Sequence, residues 1–280
     1  MSEDGKPVKM EEKLKQLFPE AFGGAAPKGR SPLLRDILAE WQKRRLVYDV
    51  SPALTEVLYE QAEEDDWNIP VSMLQMLPAV FYLRTGVDAL QGISHQEGIF
   101  LRREEENTLS FLIVGEEGQE IFRTAFTAEE GAMPLRACLQ EEGTTMEPFL
   151  ERWMEVLLYL AAENGEMEEE NEYFFLPGES LPQCVHHVRA GWETGKAISS
   201  MKADLQYCLR EEEEAYRGER KLPRAHIRRS HWHMYRMGSR NRPLEERPLA
   251  LRWLAPKLIT GKRIWKTPPP EGKTVPFEKA

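Results

Sequence analysis

The stretch that decides the fold lies between residues 79 and 126, where four short apolar runs follow one another: AVFYL (79–83), GIFL (98–101), TLSFLIV (108–114) and EIFRTAF (120–126). The runs are rich in β-branched and aromatic residues, and Glu-Asn and Glu-Glu-Gly turns punctuate them. Strand formers at such short intervals are typical of neighbouring strands joined by turns. The sequence therefore predicts an antiparallel meander of four strands.

Helices are predicted on both sides of this meander. Ser31-Pro32 and Ser51-Pro52 are start signals, and each precedes apolar residues at three- and four-residue spacing. Beyond the meander, the apolar pattern predicts helices over residues 127–139, 146–162 and 191–216. The predicted fold class is α+β, with an antiparallel sheet flanked by helices and a C-terminal basic β-hairpin.

The chain divides by composition into four parts. Residues 1–30 form a predicted flexible leader that ends in a Gly-, Ala- and Pro-rich linker, and residues 31–216 form an acidic α+β body. Residues 217–266 are predicted to form a basic hairpin packed on that body, and residues 267–280, which contain three consecutive prolines, are predicted to form a disordered tail. The most acidic run, residues 163–172, is predicted to be a solvated loop, since it lacks the alternating ligands of a Ca²⁺ site.

The net charge of −10 hides a division between two parts of the chain. Residues 217–266 contain 15 Lys and Arg against 3 Asp and Glu, which leaves 22 against 44 for the remainder. A strongly basic segment favours an anionic partner, so a nucleic acid is possible for the C-terminal part only. The opposing hypothesis is that the acidic and basic parts neutralise each other at an internal interface.

Composition also bears on the compartment. No apolar run approaches the roughly 20 residues of a membrane span, and the charged first residues lack the apolar centre of a secretion signal. Cys138, Cys184 and Cys208 are odd in number and form no CxxC pair. They are predicted to be reduced thiols in a cytoplasmic protein without a membrane partner.

The richest chemistry lies in residues 223–236, PRAHIRRSHWHMYR. Read as one strand, this segment alternates between two faces. One face then carries Arg229, His231, His233 and Tyr235, and the other carries Arg228, Ser230, Trp232 and Met234. A second strand over residues 247–254 is predicted to pair with it as a long-looped hairpin.

Three chemistries are open to this hairpin. His231 and His233, with His226 or the pair His186-His187 as further ligands, suggest a metal site, but the motif lacks a carboxylate and its arginines repel cations. No metal or cofactor is therefore predicted. Metal-independent RNA cleavage would use His226, His231, His233 and Arg229.

Binding without catalysis is the third possibility, and it would use the whole set of rings and cations. The candidate binding residues are His226, Arg228, Arg229, His231, Trp232, His233, Tyr235, Arg252 and Trp253. Against it stands a purely structural hypothesis, in which Trp232 and Met234 face the core and the basic residues pair with the acidic body. No Walker loop, GxGxxG, GxSxG or HExxH motif is present.

The C-terminal segment resembles a known anti-CRISPR family that acts against the type V-A CRISPR effector nuclease. The resemblance rests on residues 225–235, Ala-His-Ile-Arg-Arg-Ser-His-Trp-His-Met-Tyr, then Gly238, then Arg252-Trp253 followed by Pro256. Weaker similarity extends to residues 76–83 and to residues 153–162. The chain departs from the family pattern at its N-terminus and at Arg236, where an aromatic residue is usual.

The resemblance implies a function in a bacterial host cell. Members of that family lower production of the effector nuclease instead of blocking the finished enzyme. They recognise a nascent N-terminal peptide of the effector, and the corresponding mRNA is lost. The expected partners are therefore that peptide and, as a further option, mRNA or the ribosome, with no enzymatic activity required of the chain itself.

Overall fold

The computed structural model describes residues 9–62, 69–87, 96–104, 108–127, 148–215 and 224–260. Its helices are α1 Met10–Leu17, α2 Pro32–Trp41, α3 Pro52–Ala62, α4 Pro148–Ala161 and α5 Trp192–Ala215. Short 3₁₀ turns cover Pro19–Phe22, Val71–Met76 and Leu244–Glu246. Among these described residues, no helix combines the length and apolar character needed to cross a membrane.

Seven strands form one mixed sheet in the spatial order β5-β4-β3-β2-β1-β7-β6. They are β1 Leu46–Val50, β2 Val80–Arg84, β3 Gln96–Arg103, β4 Thr108–Gly115, β5 Glu120–Thr127, β6 Met167–Phe174 and β7 Gln183–Ala190. Strands β2 to β5 pair antiparallel in sequence order, which confirms the predicted meander. Strand β1 runs parallel to both β2 and β7. The α+β class is confirmed.

Both faces of the sheet are buried at its central strands, and each face has its own hydrophobic core. On β4, Leu109, Phe111 and Ile113 face the core that contains α3 and α4, while Leu112 and Val114 face the core that contains α1 and α2. Alternate side chains of a strand point to opposite faces, so a strand covered on both sides is apolar almost throughout. This burial explains why the meander stands out in the sequence.

The acidic run was predicted as a loop, and that prediction is wrong. Most of it forms β6, an edge strand of the sheet that pairs antiparallel with β7. Opposite charges support this pairing, since Arg189 Nη1 lies 3.2 Å from Glu170 Oε1 and 3.6 Å from Glu168 Oε2. Like charges on this strand also disfavour its pairing with a second copy of itself. Strands β1 and β7 were not predicted.

Part of the predicted leader is folded, which corrects the prediction for residues 10–22. Leu14 and Phe18 are fully buried in the core that contains α1 and α2, and Phe22 of the following 3₁₀ turn belongs to the same core. Glu172 of β6 accepts hydrogen bonds from the amides of Met10 and Glu11, the first residues of α1. A carboxylate at a helix N-terminus satisfies amides that have no partner within the helix.

Helices α4 and α5 confirm the predictions over residues 146–162 and 191–216. Glu166 links them, because its amide donates to the Tyr159 hydroxyl of α4 at 3.2 Å. Its carboxylate accepts hydrogen bonds from the α5 amides of Glu193 and Thr194 at 2.8 Å each and from the Thr194 hydroxyl at 2.7 Å. It therefore caps α5 from a distant point in the chain. The helix predicted over residues 127–139 falls outside the described residues except for Thr127, which ends β5. The predicted tail also lies outside them.

Candidate binding ribbon

The basic segment forms one two-stranded ribbon with an interruption, instead of the single unbroken strand predicted over residues 223–236. Strand β9 His231–Arg236 pairs antiparallel with β10 Leu249–Leu254, and β8 His226–Arg228 pairs antiparallel with β11 Lys257–Ile259. The predicted hairpin pairing of the two strands is confirmed. Pairing keeps the same register on both sides of the break, which lies where Pro256 can donate no ladder hydrogen bond.

The interruption reverses which side chains are exposed. On β9, Trp232 and Met234 pack against the core that contains α3 and α4, which we call the main core, and Ser230 just before them is buried. On β8, by contrast, His226 and Arg228 are exposed and Ile227 between them is half-buried. Arg228 therefore differs in exposure from Ser230, Trp232 and Met234, the residues with which the sequence predicts that it shares a face. Arg228 and Arg229 are adjacent and both exposed.

Hydrogen bonds fix the inner side of the ribbon to the body. The Ser230 hydroxyl donates to Gln61 Oε1 at 2.6 Å, and the Trp253 indole donates to the same oxygen at 3.2 Å. The Trp232 indole donates to Glu155 Oε2 of α4 at 2.7 Å. Buried polar groups cost free energy unless they are paired, so these contacts hold the ribbon in one position.

Two of the candidate binding residues therefore support the ribbon from within. Trp253 is only 4% exposed and packs edge-on against Tyr159, with ring centroids 5.4 Å apart. Trp232 is partly buried, and its polar nitrogen is bonded to Glu155. The structural hypothesis is correct for this inner side. We correct the assignment of Trp253, because a ligand cannot reach a side chain sealed in the core.

The outer side of β9 and β10 carries the remaining rings and a guanidinium. Register places His231 opposite Leu254, His233 opposite Arg252 and Tyr235 opposite Ala250. The rings of His233 and Tyr235 lie 4.2 Å apart between centroids and are inclined by 30°. The Arg252 guanidinium lies 5.4 Å from the Tyr235 ring centroid. These groups form a single row, which we call the outer row: His231, His233, Tyr235 and Arg252.

Glu163, which lies just beyond α4, holds Arg252. Its carboxylate Oε2 accepts from Arg252 Nε at 2.9 Å, and its own amide donates to the Leu251 carbonyl at 2.9 Å. The contact uses Nε and leaves the two terminal nitrogens of the guanidinium outside it. At Arg252, the basic and acidic parts of the chain therefore neutralise each other, as the hypothesis of an internal interface predicts.

Other arginines shape the connecting turn. Arg236 Nη1 donates to the carbonyls of Leu244 and Arg247 at 3.1 and 3.3 Å. Arg247 in turn donates to the carbonyls of Arg240 and Arg242. Several cations of the basic segment therefore have structural partners, whereas Arg228 and Lys257 are exposed and face each other across the β8–β11 pair.

The structure separates the histidines of the proposed metal set. His231 and His233 lie on β9, His226 lies on β8, and His186 and His187 lie on β7 in the central sheet. His187 is buried, with Nε2 3.8 Å from Asp49 Oδ2. Within the described ranges, no cluster of three or more His, Cys, Asp or Glu side chains could hold a metal ion. The ribonuclease set of His226, His231, His233 and Arg229 remains a prediction.

Sequence reasoning missed the residues that fix the ribbon: Gln61, Glu155 and Glu163. Glu155 is the one that sequence could have revealed, since it is a carboxylate within the most apolar helical segment of the chain. It is fully buried in the structure. Charged side chains are almost never fully buried unless paired, so such a position indicates a specific partner.

These observations define an α+β protein that is built on a seven-stranded mixed sheet and displays a basic two-stranded ribbon. The model of the AcrVA2-like family, described as the anti-CRISPR type V subtype A2 family, matches residues 48–261. This match covers well over half of the 280 residues and includes the sheet and the ribbon, so the chain belongs to that anti-CRISPR family. Comparison with curated proteins gave no match, and comparison with solved structures gave none either.

Proposed function

We propose that this anti-CRISPR protein lowers the synthesis of a type V-A CRISPR effector nuclease by recognising the effector's N-terminal peptide as it leaves the ribosome, with loss of the corresponding mRNA. Membership of the anti-CRISPR family supports the target. The observation that carries the proposal is the ribbon, since its inner side is fixed to the body while its outer row stays accessible. A surface held in this way is prepared for a partner.

The nascent peptide has a suitable receptor in β6. This strand is the last of the sheet in its described part, and its residues 167–171 are exposed. An extended peptide adds to such an edge through main-chain hydrogen bonds. The glutamates of β6 favour a peptide with basic side chains, and the nearby Tyr173 and Phe175, 67% and 65% exposed, offer apolar contact. The acidic body would thus read the peptide while the ribbon faces the translating complex.

Peptide capture tests this division of roles. The full-length chain is needed, because a version cut before residue 217 would lose Leu251 and Trp253 from the main core. We expect a peptide with the effector's N-terminal sequence to bind more weakly when Glu168 and Glu169 are both changed to Gln. The matched control is Glu56→Gln with Glu60→Gln, two exposed glutamates on α3.

Calorimetric titration gives the affinities. The proposal expects the β6 double variant to lose about three- to tenfold in affinity, in line with about 0.2–1 kcal/mol for each exposed charge contact. N-methylation of alternate peptide amides should abolish binding, because it removes the donors that pair with a strand edge. Equal affinity of both double variants and of the methylated peptide would show that β6 is not the receptor.

A further inference from the structure

The outer row is arranged before any partner arrives. The His233 and Tyr235 rings lie against each other with a 30° inclination, and the Arg252 guanidinium lies within cation–π distance of Tyr235. The pairing of Arg252 with Glu163 fixes the guanidinium relative to the β9–β10 backbone. Rings and a guanidinium held in one row need little ordering when a ligand binds, so less entropy is lost.

The positive charge of the segment around the outer row favours an anionic ligand. Residues 224–260 contain nine Arg and Lys and only two Glu. Arg228 and Lys257 are exposed and face each other further along the same ribbon, so they add positive charge to this part of the molecule. A guanidinium beside aromatic rings in a basic segment matches a polymer that alternates phosphates with flat bases. Surfaces for unpaired nucleic acid combine a basic track with aromatic rings on which bases stack.

We infer that the outer row is a binding surface for single-stranded RNA, with a base stacked against the His233 and Tyr235 ring pair and a phosphate on Arg252. The choice of RNA over DNA rests on the proposed function, in which the protein acts at a translating complex. Stacking on rings requires an unpaired base, so a duplex does not fit this surface. Stacking accepts any base, and recognition at this site therefore tolerates sequence changes.

Glu163 acts as a positioning residue in this site. Simple electrostatics predicts that removal of a carboxylate near a polyanion site strengthens RNA binding. A positioning role predicts the opposite, because Arg252 would lose the contact that holds it over Tyr235. The direction of the change in affinity therefore separates the two roles. Glu245 in the turn between β9 and β10 provides the control, since it is an exposed carboxylate of the same ribbon.

The test is fluorescence anisotropy with the full-length chain and a labelled oligouridine of about 12 nucleotides, within the usual site size for one binding module. Tyr235→Leu should weaken binding about tenfold, and Tyr235→Phe, which keeps the ring, should bind like the unchanged chain. Arg252→Gln should lower the slope of log affinity against log salt by about one unit.

The positioning role of Glu163 is tested in the same assay. Glu163→Ala should weaken binding of the oligouridine, and Glu245→Ala should not. Thermal unfolding of each variant confirms that it is folded.

Several results would overturn the inference. The first is that the unchanged chain does not bind the oligouridine, and the second is that it binds a duplex RNA with equal affinity. The third is that polyglutamate of matched charge competes fully, which would indicate a site for acidic peptides. A Tyr235→Leu chain that is folded and binds normally would also overturn it. Failure here leaves the peptide measurements unaffected, so it can be told apart from failure of the proposed function.

Discussion

At the scale of single residues, the attachment of the ribbon depends on a few polar contacts made by buried side chains. Glu155 is fully buried and accepts a hydrogen bond from the Trp232 indole, and Gln61 accepts from both Ser230 and Trp253. Each contact joins positions far apart in the chain, 169 residues for Ser230 and Gln61. Loss of one donor removes a hydrogen bond from a buried polar group where water cannot replace it.

Trp232→Phe should therefore destabilise the protein by about 1–3 kcal/mol, because Glu155 loses a donor while remaining buried. Urea denaturation measures the change in the free energy of unfolding. Adding Glu155→Leu to Trp232→Phe should recover part of the loss, since the buried carboxylate is then removed as well. If the free energy of unfolding of the Trp232→Phe variant is within about 0.5 kcal/mol of that of the unchanged chain, this contact does not hold the ribbon.

His231→Ala combined with His233→Ala separates RNA binding from RNA cleavage. His233 contributes a ring to the stacked pair, so a binding surface should lose affinity for RNA in this variant. A catalytic pair would instead lose cleavage and keep affinity. Anisotropy measures the affinity, and gel analysis of a labelled RNA measures cleavage. Cleavage by the unchanged chain that disappears in the variant at unchanged affinity would favour the ribonuclease alternative.

At the scale of elements, the sequence predicted what local patterns determine and missed what distant partners determine. The meander was predictable because both faces of β4 are buried and its residues are almost all apolar. Strand β6 was not predictable from the sequence, because its glutamates lie on an edge strand and Arg189, which pairs with them, comes from strand β7. The break in the ribbon, which lies at Pro256 of the opposite strand, was also missed.

The cap of α5 gives an element-scale prediction about pH. Partial burial would raise the pKa of Glu166, but the donors of Glu193 and Thr194 outweigh it, so the pKa lies below its ordinary value. A carboxylate with a lowered pKa in the folded state stabilises the protein at neutral pH, and this contribution is lost as the pH falls through the folded-state pKa. Stability should therefore decrease in the acidic range partly through Glu166.

Glu166→Gln tests this linkage through unfolding curves between neutral and acidic pH. The variant should be less stable than the unchanged chain at neutral pH, and the difference should shrink as the pH falls below the ordinary glutamate pKa. Glu169→Gln is a suitable control, because Glu169 is an exposed glutamate on strand β6. A stability difference for Glu166→Gln that stays constant over this range would contradict the role of its charge.

At the scale of the whole molecule, the acidic and basic parts of the chain are one folded unit in their described residues. Leu251 and Trp253 of the ribbon belong to the same core as the sheet and α4, and Trp232 and Met234 pack against it. The predicted neutralisation between the parts is seen at Arg252 and Glu163. Arg228 and Lys257 nevertheless remain exposed, so the molecule presents an acidic strand edge and a basic ribbon together.

The most direct test of peptide recognition changes the effector's message without changing its peptide. Effector transcript and protein levels are compared with and without this chain, for the natural gene and for one whose opening codons are synonymously recoded. A gene with the same number of nucleotide changes but altered amino acids is the matched control. Recognition of the nascent peptide predicts that the recoded transcript is lost as before and that the control transcript survives. Survival of the synonymously recoded transcript would contradict the proposal, because the protein would then read the RNA sequence.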